Sequence, residues 1–352
     1  MPVPMQFNIR FLAPAFLGDA EQKGRWRTPP FKALLRQYWR MAWARDHDYP
    51  KDVAAMLHTE GLLFGTASDG DTGSSRSLLR LRLASWSPGK LTTWSPLGAI
   101  ATGGKPGGDA GTYLGYGPVA QKDGGLTKGR AIDAGEAAVF GVGFDPRSQG
   151  RPTLLAEHQR VRDAIAQANL YGTVGGRSRN GWGSFVLDAD AAMPDVAVPM
   201  RPWREALGLE WAHALGTDDA GPLVWKTAVC KDWREAMRQL AAVRYRVRHQ
   251  FPMAMAQRLP KPDERHWLAY PATKSSVADW DRNSSGRLPN SLRFKLRPAP
   301  GEPGKVVGVV FHVPCRPPRE FSPDIAVLER VWATAHQFLD TTTALGLQRI
   351  AQ

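Results

Sequence analysis

The sequence of 352 residues contains few cysteines and comparatively few acidic residues. Its two cysteines, Cys230 and Cys315, lie far apart and form neither a zinc-ligand spacing nor a CxxC redox motif. Each stands at the end of an apolar run, which is typical of a small buried hydrophobe. This usage argues against a disulfide framework and against a cysteine-based metal site.

Long hydrophobic runs and metal-binding histidine motifs are also missing. No stretch has the roughly 20 apolar residues of a membrane-spanning helix. The opening MPVPMQFNIRF carries prolines and Arg10 where a signal peptide has a continuous apolar region. The sequence therefore predicts a cytoplasmic protein with no membrane partner. Because it lacks HExxH or another ligand spacing, it also predicts no metal and no cofactor.

A catalytic site has little support in the sequence. A metal-independent ribonuclease needs a general base and a general acid near a cationic phosphate site. His47 or His58 together with Lys32 would supply these groups, and Asp109 or Asp123 would position a scissile phosphate. No spacing selects any of them, so the sequence predicts no catalytic residue.

Positive charge, in contrast, is abundant. The chain has 46 Lys and Arg residues against 33 Asp and Glu residues, which gives a formal net charge of +13 at pH 7. The excess is spread over both halves of the chain rather than concentrated in a terminal tail. A bias of this size favours a polyanionic partner such as a nucleic acid.

Hydrophobic periodicity predicts two similar blocks of strands and helices. In the first block, strands are expected at 5–12, 77–86, 137–144 and from 184 onward, with helices at 28–45 and 152–170. In the second block, strands are expected at 222–230 and 305–315, with helices at 232–249 and 322–343.

The fold class that follows is α+β, with two tandem ferredoxin-like domains of the RRM type, each with βαββαβ topology. The first domain is expected at 1–190, with a Gly/Pro-rich insertion at 87–135. A linker at 191–221 and a second ferredoxin-like domain at 222–352 are expected to follow.

A basic, glycine-rich loop with the sequence YGTVGGRSRNGWGSF (171–185) joins a predicted helix to a predicted strand. Glycine permits positive φ and close backbone approach, and successive N–H groups in such loops form anion-binding nests. The candidate RNA-binding residues of this loop are Gly175, Gly176, Arg177, Ser178 and Arg179. The alternative is a flexible surface loop with incidental arginines. Trp182 would either stack on a base or anchor the loop to the core.

Two further groups of cations have regular spacing in the first block. Lys32, Arg36 and Arg40 form a stripe along the predicted helix, which carries no acidic residue between positions 31 and 45. Arg80 and Arg82 alternate with leucines along a predicted strand, so the two arginines share one face. Both patterns fit phosphate contacts, and both also fit ordinary solvated faces.

A comparable group of cations occurs in the second block, at Arg287, Arg293 and Lys295. Arg293 and Lys295 alternate along a predicted strand and therefore project from one face. Contact with RNA and a solvated sheet edge fit this pattern equally well.

The motifs resemble those of the RAMP superfamily of CRISPR RNA-binding proteins. FLAPAFLGDAEQKGRWRTPPFKALLRQYWR is similar to the opening of the first RAMP subunit of the Cmr (type III-B) effector complex, with Pro30, Lys32, Arg36 and Arg40 at its motif positions. EGLLFGTAS (60–68) is similar to the element that follows, and GGRSRNGWGSF is similar to the glycine loop of the superfamily.

The resemblance covers most of the chain and is weakest over 87–135 and 188–221. It implies two ferredoxin-like domains, binding of CRISPR guide RNA or of the guide–target RNA duplex, and association with other RAMP subunits, without catalysis by this subunit. The RNA contacts it implies are those of the helical stripe and the glycine loop. Two alternatives remain: a RAMP endoribonuclease that processes guide precursor RNA, and a basic scaffold that binds only proteins.

Overall fold

The computed structural model of the chain describes residues 4–67, 74–105, 107–120, 125–145, 155–188, 196–253, 257–272, 275–283 and 286–350. The strands are β1 (Met5–Phe11), β2 (Leu79–Leu83), β3 (Ala137–Phe144), β4 (Phe185–Asp188), β5 (Met200–Pro202), β6 (Leu215–Asp218), β7 (Gly221–Pro222), β8 (Val224–Lys226), β9 (Gln257–Leu259), β10 (Ser275–Val277), β11 (Leu292–Pro298), β12 (Val306–His312) and β13 (Gln348–Arg349). The helices are α1 (Pro29–Asp46), α2 (Ala54–Phe64), α3 (Ala110–Gly115), α4 (Leu155–Tyr171), α5 (Trp203–Ala206), α6 (Trp233–His249), α7 (Ala278–Asn283) and α8 (Ile325–Thr341).

The chain divides into two compact units. The first comprises Met1–Ser95 and Gly117–Pro199, and the second comprises Pro96–Tyr116 and Met200–Gln352. Residues 96–116 lie within the range expected as a Gly/Pro-rich insertion, and they contain α3. The range expected as a linker contains β5 and β6, which form a small sheet together with β7.

The first unit is built on a four-stranded antiparallel sheet in the order β2-β3-β1-β4. Helix α1 follows β1 and helix α4 follows β3, which is the βαββαβ arrangement of a ferredoxin-like fold. Phe7, Ile9 and Phe11 of β1 are buried, as their alternation predicts. Phe31 of α1 packs against Phe140 of β3 with ring centroids 5.4 Å apart, so the helical layer covers this face of the sheet.

The second unit repeats this topology with a different sequence. Its main sheet is also antiparallel and has the order β11-β12-β8-β13, with α6 after β8 and α8 after β12. Gly308 of β12 lets α6 pack closely, because a Cβ at this position would lie 3.0 Å from the Leu240 side chain. The two ferredoxin-like domains predicted from the sequence are therefore confirmed.

The helix ends show which local signals the sequence carries. The Asp232 carboxylate caps α6 by accepting a hydrogen bond from the Glu235 amide at 2.8 Å. Thr28 makes no such side-chain bond, and α1 begins instead with two prolines, which suit the first helical turn. Helix α2 was not predicted, because it has no side-chain cap and contains Gly61.

In the part of the chain that the structure describes, no helix combines the length and the apolar composition needed to cross a membrane.

Candidate nucleic-acid interface

The basic stripe on α1 is held by an acidic residue of the neighbouring helix α2. Glu60 has a side chain that is 8% exposed, and two arginines contact it. The Arg40 guanidinium donates to both carboxylate oxygens, with Nη2 2.8 Å from Oε1. Arg36 Nε lies 3.4 Å from the same Oε1 atom, which is an ionic contact. The acidic residue that α1 lacks between positions 31 and 45 is thus partly replaced by one from α2.

Lys32, in the first turn of the stripe, forms no ion pair with any described residue. Partial burial lowers the pKa of the Lys32 amine, and the charges of Arg36 and Arg80 lower it further. Arg80 of β2 is itself paired with Asp145. We call Lys32, Arg36, Arg40 and Arg80 the α1 cation cluster. Its four cations face two carboxylates, so positive charge is in excess here.

Arg82 lies on an open part of the sheet of the first unit. Leu79 and Leu83 of β2 are buried, whereas Arg82 is exposed, as the alternation predicts. The register with β3 places Arg82 opposite Gly141. Among the described residues, a Cβ at Gly141 would meet no heavy atom nearer than 3.9 Å, and that atom belongs to Arg82 itself. The backbone beside this arginine is therefore accessible to a partner.

The glycine-rich loop between α4 and β4 packs on the segment that follows β1. The Gly176 amide donates to the Phe16 carbonyl at 2.9 Å, and the Gly183 amide donates to the Pro14 carbonyl at 2.8 Å. Gly175 has a φ of +94°, and a Cβ there would lie 2.7 Å from the Phe16 oxygen. Packing and backbone conformation account for these glycines, and the Gly176 amide already has an acceptor.

The cationic tip of the loop spans residues 177–179. Arg177 is exposed and has a left-handed φ of +56°. Ser178 and Arg179 are half-buried, and the Ser178 carbonyl accepts a hydrogen bond from the Thr173 hydroxyl at 2.9 Å. The loop is thus a defined structure that presents Arg177 to solvent.

Trp182 anchors this loop to the core of the first unit. Its side chain is fully buried, and its ring centroid lies 5.4 Å from those of Phe16 and Trp94. Of the two roles that the sequence left open, packing in the core is the one observed, and base stacking by Trp182 is incompatible with its burial.

The three candidate residues of the second unit have different environments. Arg287 is exposed in the loop before β11. Arg293 is buried and Lys295 is fully buried within β11, so the expected solvated edge is not found there. Burial lowers the pKa of Lys295 well below its usual value, and the charge of Arg297 adds to this effect. The alternation along the strand correctly predicted that Arg293 and Lys295 share one face of β11. It did not predict that this face is buried.

Two features with a structural role were not identified from the sequence. Glu60 lies far from the stripe in sequence, so its pairing with the arginines of α1 carries no short-range signal. On α6, Arg234 donates to the Pro96 carbonyl at 3.0 Å and Arg238 donates to the Leu97 carbonyl at 3.1 Å. These arginines hold the segment 96–116 within the second unit.

The possible catalytic groups are engaged in local structure. His47 stacks on Trp43 at 3.8 Å, and the Asp109 carboxylate caps α3 by accepting from the Thr112 amide at 2.8 Å. His58 is exposed, and Asp123 lies outside the described residues. Among the described residues, no three His, Cys, Asp or Glu side chains are grouped so that they could hold a metal ion.

Comparison with known proteins identifies solved structures that have a similar fold. No protein-family model matches the chain, and no curated protein matches it significantly. Several solved structures are similar over almost the full length. A chain of the type III-B Cmr-beta complex bound to cognate target RNA and AMPPnP, in the presence of ssDNA, has a TM-score of 0.50 and 9% identity over 95% of this chain and 98% of that one.

A second Cmr-beta structure, bound to cognate target RNA, gives a TM-score of 0.50 and 9% identity over 94% of this chain and 99% of the other. Cmr1 from Pyrococcus furiosus in its apo form has a TM-score of 0.48 and 14% identity, with 98% of each chain covered. At these identities, what the chain shares with the two Cmr-beta chains is their fold.

Proposed function

We propose that the chain is a non-catalytic RNA-binding subunit of a type III-B CRISPR effector complex, where it contacts guide RNA, target RNA or their duplex in antiviral defence. Two chains of the same fold belong to Cmr-beta complexes bound to cognate target RNA, which supports this assignment. Other RAMP subunits would be its protein partners, and the cytoplasm would be its place of action.

The observation that carries the proposal is the excess of positive charge in the α1 cation cluster. Glu60 neutralises one charge of the two arginines that it contacts, and Lys32 has no carboxylate partner among the described residues. Burial lowers the pKa of Lys32, and the like charges of Arg36 and Arg80 lower it further, so positive charges repel one another here. A phosphodiester anion would relieve the repulsion and accept hydrogen bonds from several cations at once.

The pairing with Glu60 also serves binding. Because a buried carboxylate fixes the Arg36 and Arg40 guanidinium groups, less side-chain entropy is lost when a phosphate binds. Arg82, on the neighbouring open strand, extends the positive surface within the first unit. RNA would therefore be recognised here through its backbone, with affinity that depends strongly on salt.

Substitution of Lys32 tests this interface. Lys32→Gln is expected to weaken binding of single-stranded RNA about tenfold, because a charge-assisted contact is lost. The slope of log K against log [salt] should become shallower by about 0.7. Lys51→Gln is the matched control, since Lys51 is an exposed lysine of the same unit. Equal effects of the two substitutions would contradict a specific interface at α1.

The absence of catalysis is part of the proposal and has its own test. The purified chain is incubated with labelled CRISPR repeat RNA without metal ions, and the products are separated by size. Intact RNA is expected. Cleavage at a defined position would contradict the proposal and favour the guide-processing endoribonuclease, and the loss of cleavage in His47→Ala or His58→Ala would then identify its base.

A further inference from the structure

Two arginines of the second unit, one of them in the last turn of α6, have no carboxylate partner among the described residues. Arg248 on α6 and Arg265 on the turn Glu264–Trp267 make no ion pair with any described residue. The Nε–H groups of both are enclosed and have no hydrogen-bond acceptor in the part of the chain that the structure describes. Burial lowers the pKa of Arg265, and the neighbouring Arg248 lowers it further. Two half-buried cations thus affect each other electrostatically, and neither has an ion-pair partner among the described residues.

A tyrosine hydroxyl near Arg265 also lacks a hydrogen-bond partner among the described residues. Tyr113 of α3 lies near enough to oppose the lowering of the Arg265 pKa, and its Oη atom is enclosed. The Tyr113 ring lies under the Arg244 guanidinium, 5.6 Å from its central carbon, and contacts the Tyr245 ring at 6.2 Å. All these residues belong to the second unit. The Arg234 and Arg238 bonds to residues 96 and 97 hold the segment that carries Tyr113 in place.

A hydrogen-bond donor that is buried without an acceptor costs free energy in the folded state. Several such donors in one place are therefore suited to bind an anion. Arginine Nε–H and Nη–H groups form a planar fork that matches the oxygens of a phosphate group. A cavity of about 10 Å³ is lined by Arg248, by Arg244 and Asn290, and by the apolar side chains of Leu292 and Phe294. This volume holds about one oxygen atom, so an anion would insert one oxygen and keep the rest outside.

A phosphodiester meets these requirements better than a carboxylate side chain does. Both groups present two anionic oxygens, but only the phosphodiester carries a ribose and a base, which aromatic rings beside the phosphate can contact. Such rings are present, because Tyr245 is half-exposed and stacks on the exposed His249 at 3.8 Å. Cations interleaved with aromatic side chains are typical of surfaces that bind single-stranded nucleic acids.

We propose that Arg248, Arg265 and Tyr113 form a binding site in the second unit for a backbone phosphate of a single RNA strand. The inference rests on the proposed function, since it assigns this phosphate to RNA that the chain binds. It adds a contact point, on α6 and the segment 96–116, that is separate from the α1 cation cluster of the first unit.

The test uses the full chain, the double variant Arg248→Gln/Arg265→Gln and the single variant Tyr113→Phe. RNA binding is measured by fluorescence anisotropy with a labelled single-stranded RNA at several salt concentrations. The double variant is expected to bind at least about tenfold more weakly, with a salt slope shallower by about 0.7, because the contact with one phosphate is lost. Tyr113→Phe should weaken binding by a smaller factor. Arg258→Gln is the control, because Arg258 is an exposed arginine of the second unit outside the site.

Thermal unfolding gives a second readout that a merely structural role would not produce. Without an anion, the double variant should have a melting temperature no lower than that of the wild type, because two repelling charges are removed. Inorganic phosphate should raise the wild-type melting temperature relative to chloride at equal ionic strength, and the double variant should lack this shift. A lower melting temperature of the double variant in chloride would mean that the arginines support the fold, and it would overturn the inference.

The outcomes separate this inference from the proposed function. If the wild type binds RNA with a steep salt slope and the double variant binds equally well, the phosphate site is wrong while the function stands. If the wild type binds no RNA, both fail. If Arg258→Gln weakens binding as much as the double variant does, the effect reflects general charge, and the site is likewise rejected.

Discussion

At the scale of single residues, the glycines of the loop between α4 and β4 meet steric requirements of the fold. Gly183 has a φ of +66°, and a Cβ there would lie 1.9 Å from the Val174 carbonyl oxygen. Gly175 combines a left-handed φ with close approach to the Phe16 carbonyl. The same loop presents Arg177 to solvent. The glycines therefore fix the backbone of the loop that carries Arg177, a candidate RNA-binding residue.

Substitution of Gly183 separates this packing requirement from backbone strain alone. Gly183→Ala is expected to lower the free energy of unfolding by about 3 kcal/mol or more, because the new methyl group would overlap a carbonyl oxygen that cannot move freely. Gly129→Ala is the control, since Gly129 has a φ of +68° in the same unit with nothing within 4 Å. It should cost about 1 kcal/mol. If urea unfolding shows a similar loss of free energy for Gly183→Ala and Gly129→Ala, the expected overlap of the new methyl group at position 183 with the Val174 carbonyl oxygen does not destabilise the fold.

A buried histidine pair in the second unit makes its stability depend on pH. His336 Nε2 and His312 Nδ1 lie 3.0 Å apart between α8 and β12. Burial lowers the pKa of His336 to about 3; Arg349 and Arg204 lower it as well, and Asp218 opposes them. Burial, His336 and Arg293 hold the pKa of His312 well below its usual value. Both rings are therefore neutral in the folded chain.

The unfolded chain binds protons at these histidines below a pH of about 6.5, whereas the folded chain does not. Stability should thus be complete above pH 7 and should fall as the pH decreases. The expected loss is about 2 kcal/mol per histidine between pH 7.5 and pH 5. Urea unfolding at several pH values measures this loss. His336→Gln should reduce the pH dependence, whereas His58→Gln, at an exposed position, should leave it unchanged. The same slope in both variants would contradict the neutral pair.

At the scale of elements, the packing of α2 on α1 organises the candidate interface. The enclosed carboxylate of Glu60 requires partners, because an unpaired buried charge is strongly unfavourable. Arg36 and Arg40 supply them, and Arg36 also lies over the Phe64 ring of α2 at 5.5 Å. The stripe of cations is therefore part of a helix–helix contact as well as a candidate surface for RNA.

Glu60→Gln tests the structural side of this contact. We expect a loss of about 2 kcal/mol in the free energy of unfolding, below the usual cost of breaking a fully buried pair because both arginines are partly exposed. Asp188→Asn is the control. It removes a carboxylate of the same unit from an exposed pair with Arg10 at 3.9 Å, which should cost less than about 0.5 kcal/mol. Equal midpoints of urea unfolding for the two variants would show that Glu60 contributes little.

Elements with strong local signals could be predicted from the sequence. Strand β3 has the expected bounds, and α6 begins directly after its predicted cap, Asp232. Helix α2 was missed because its stability comes from buried side chains such as Met56 and Phe64 rather than from caps or periodicity. The burial of Lys295 was missed because alternation along a strand shows which residues share a face, not what covers that face.

At the scale of the whole molecule, the chain has one topology twice and positive charge in both copies. The sheets have equivalent strand orders, and the formal net charge is +13. The candidate contacts differ between the units: one lies on a helical stripe beside an edge strand, and the other on the end of α6. A protein that binds the phosphate backbone of a long polyanion needs positive charge at several places, and both units supply it.

The salt dependence of RNA binding by the intact chain tests this account most directly. Anisotropy titrations with single-stranded RNA over a range of salt concentrations give the slope of log K against log [salt]. A chain that contacts four or more phosphates should have a slope of about −3 or steeper, at roughly −0.7 per phosphate. A slope near zero, or no binding at low salt, would contradict the assignment of this protein as an RNA-binding subunit.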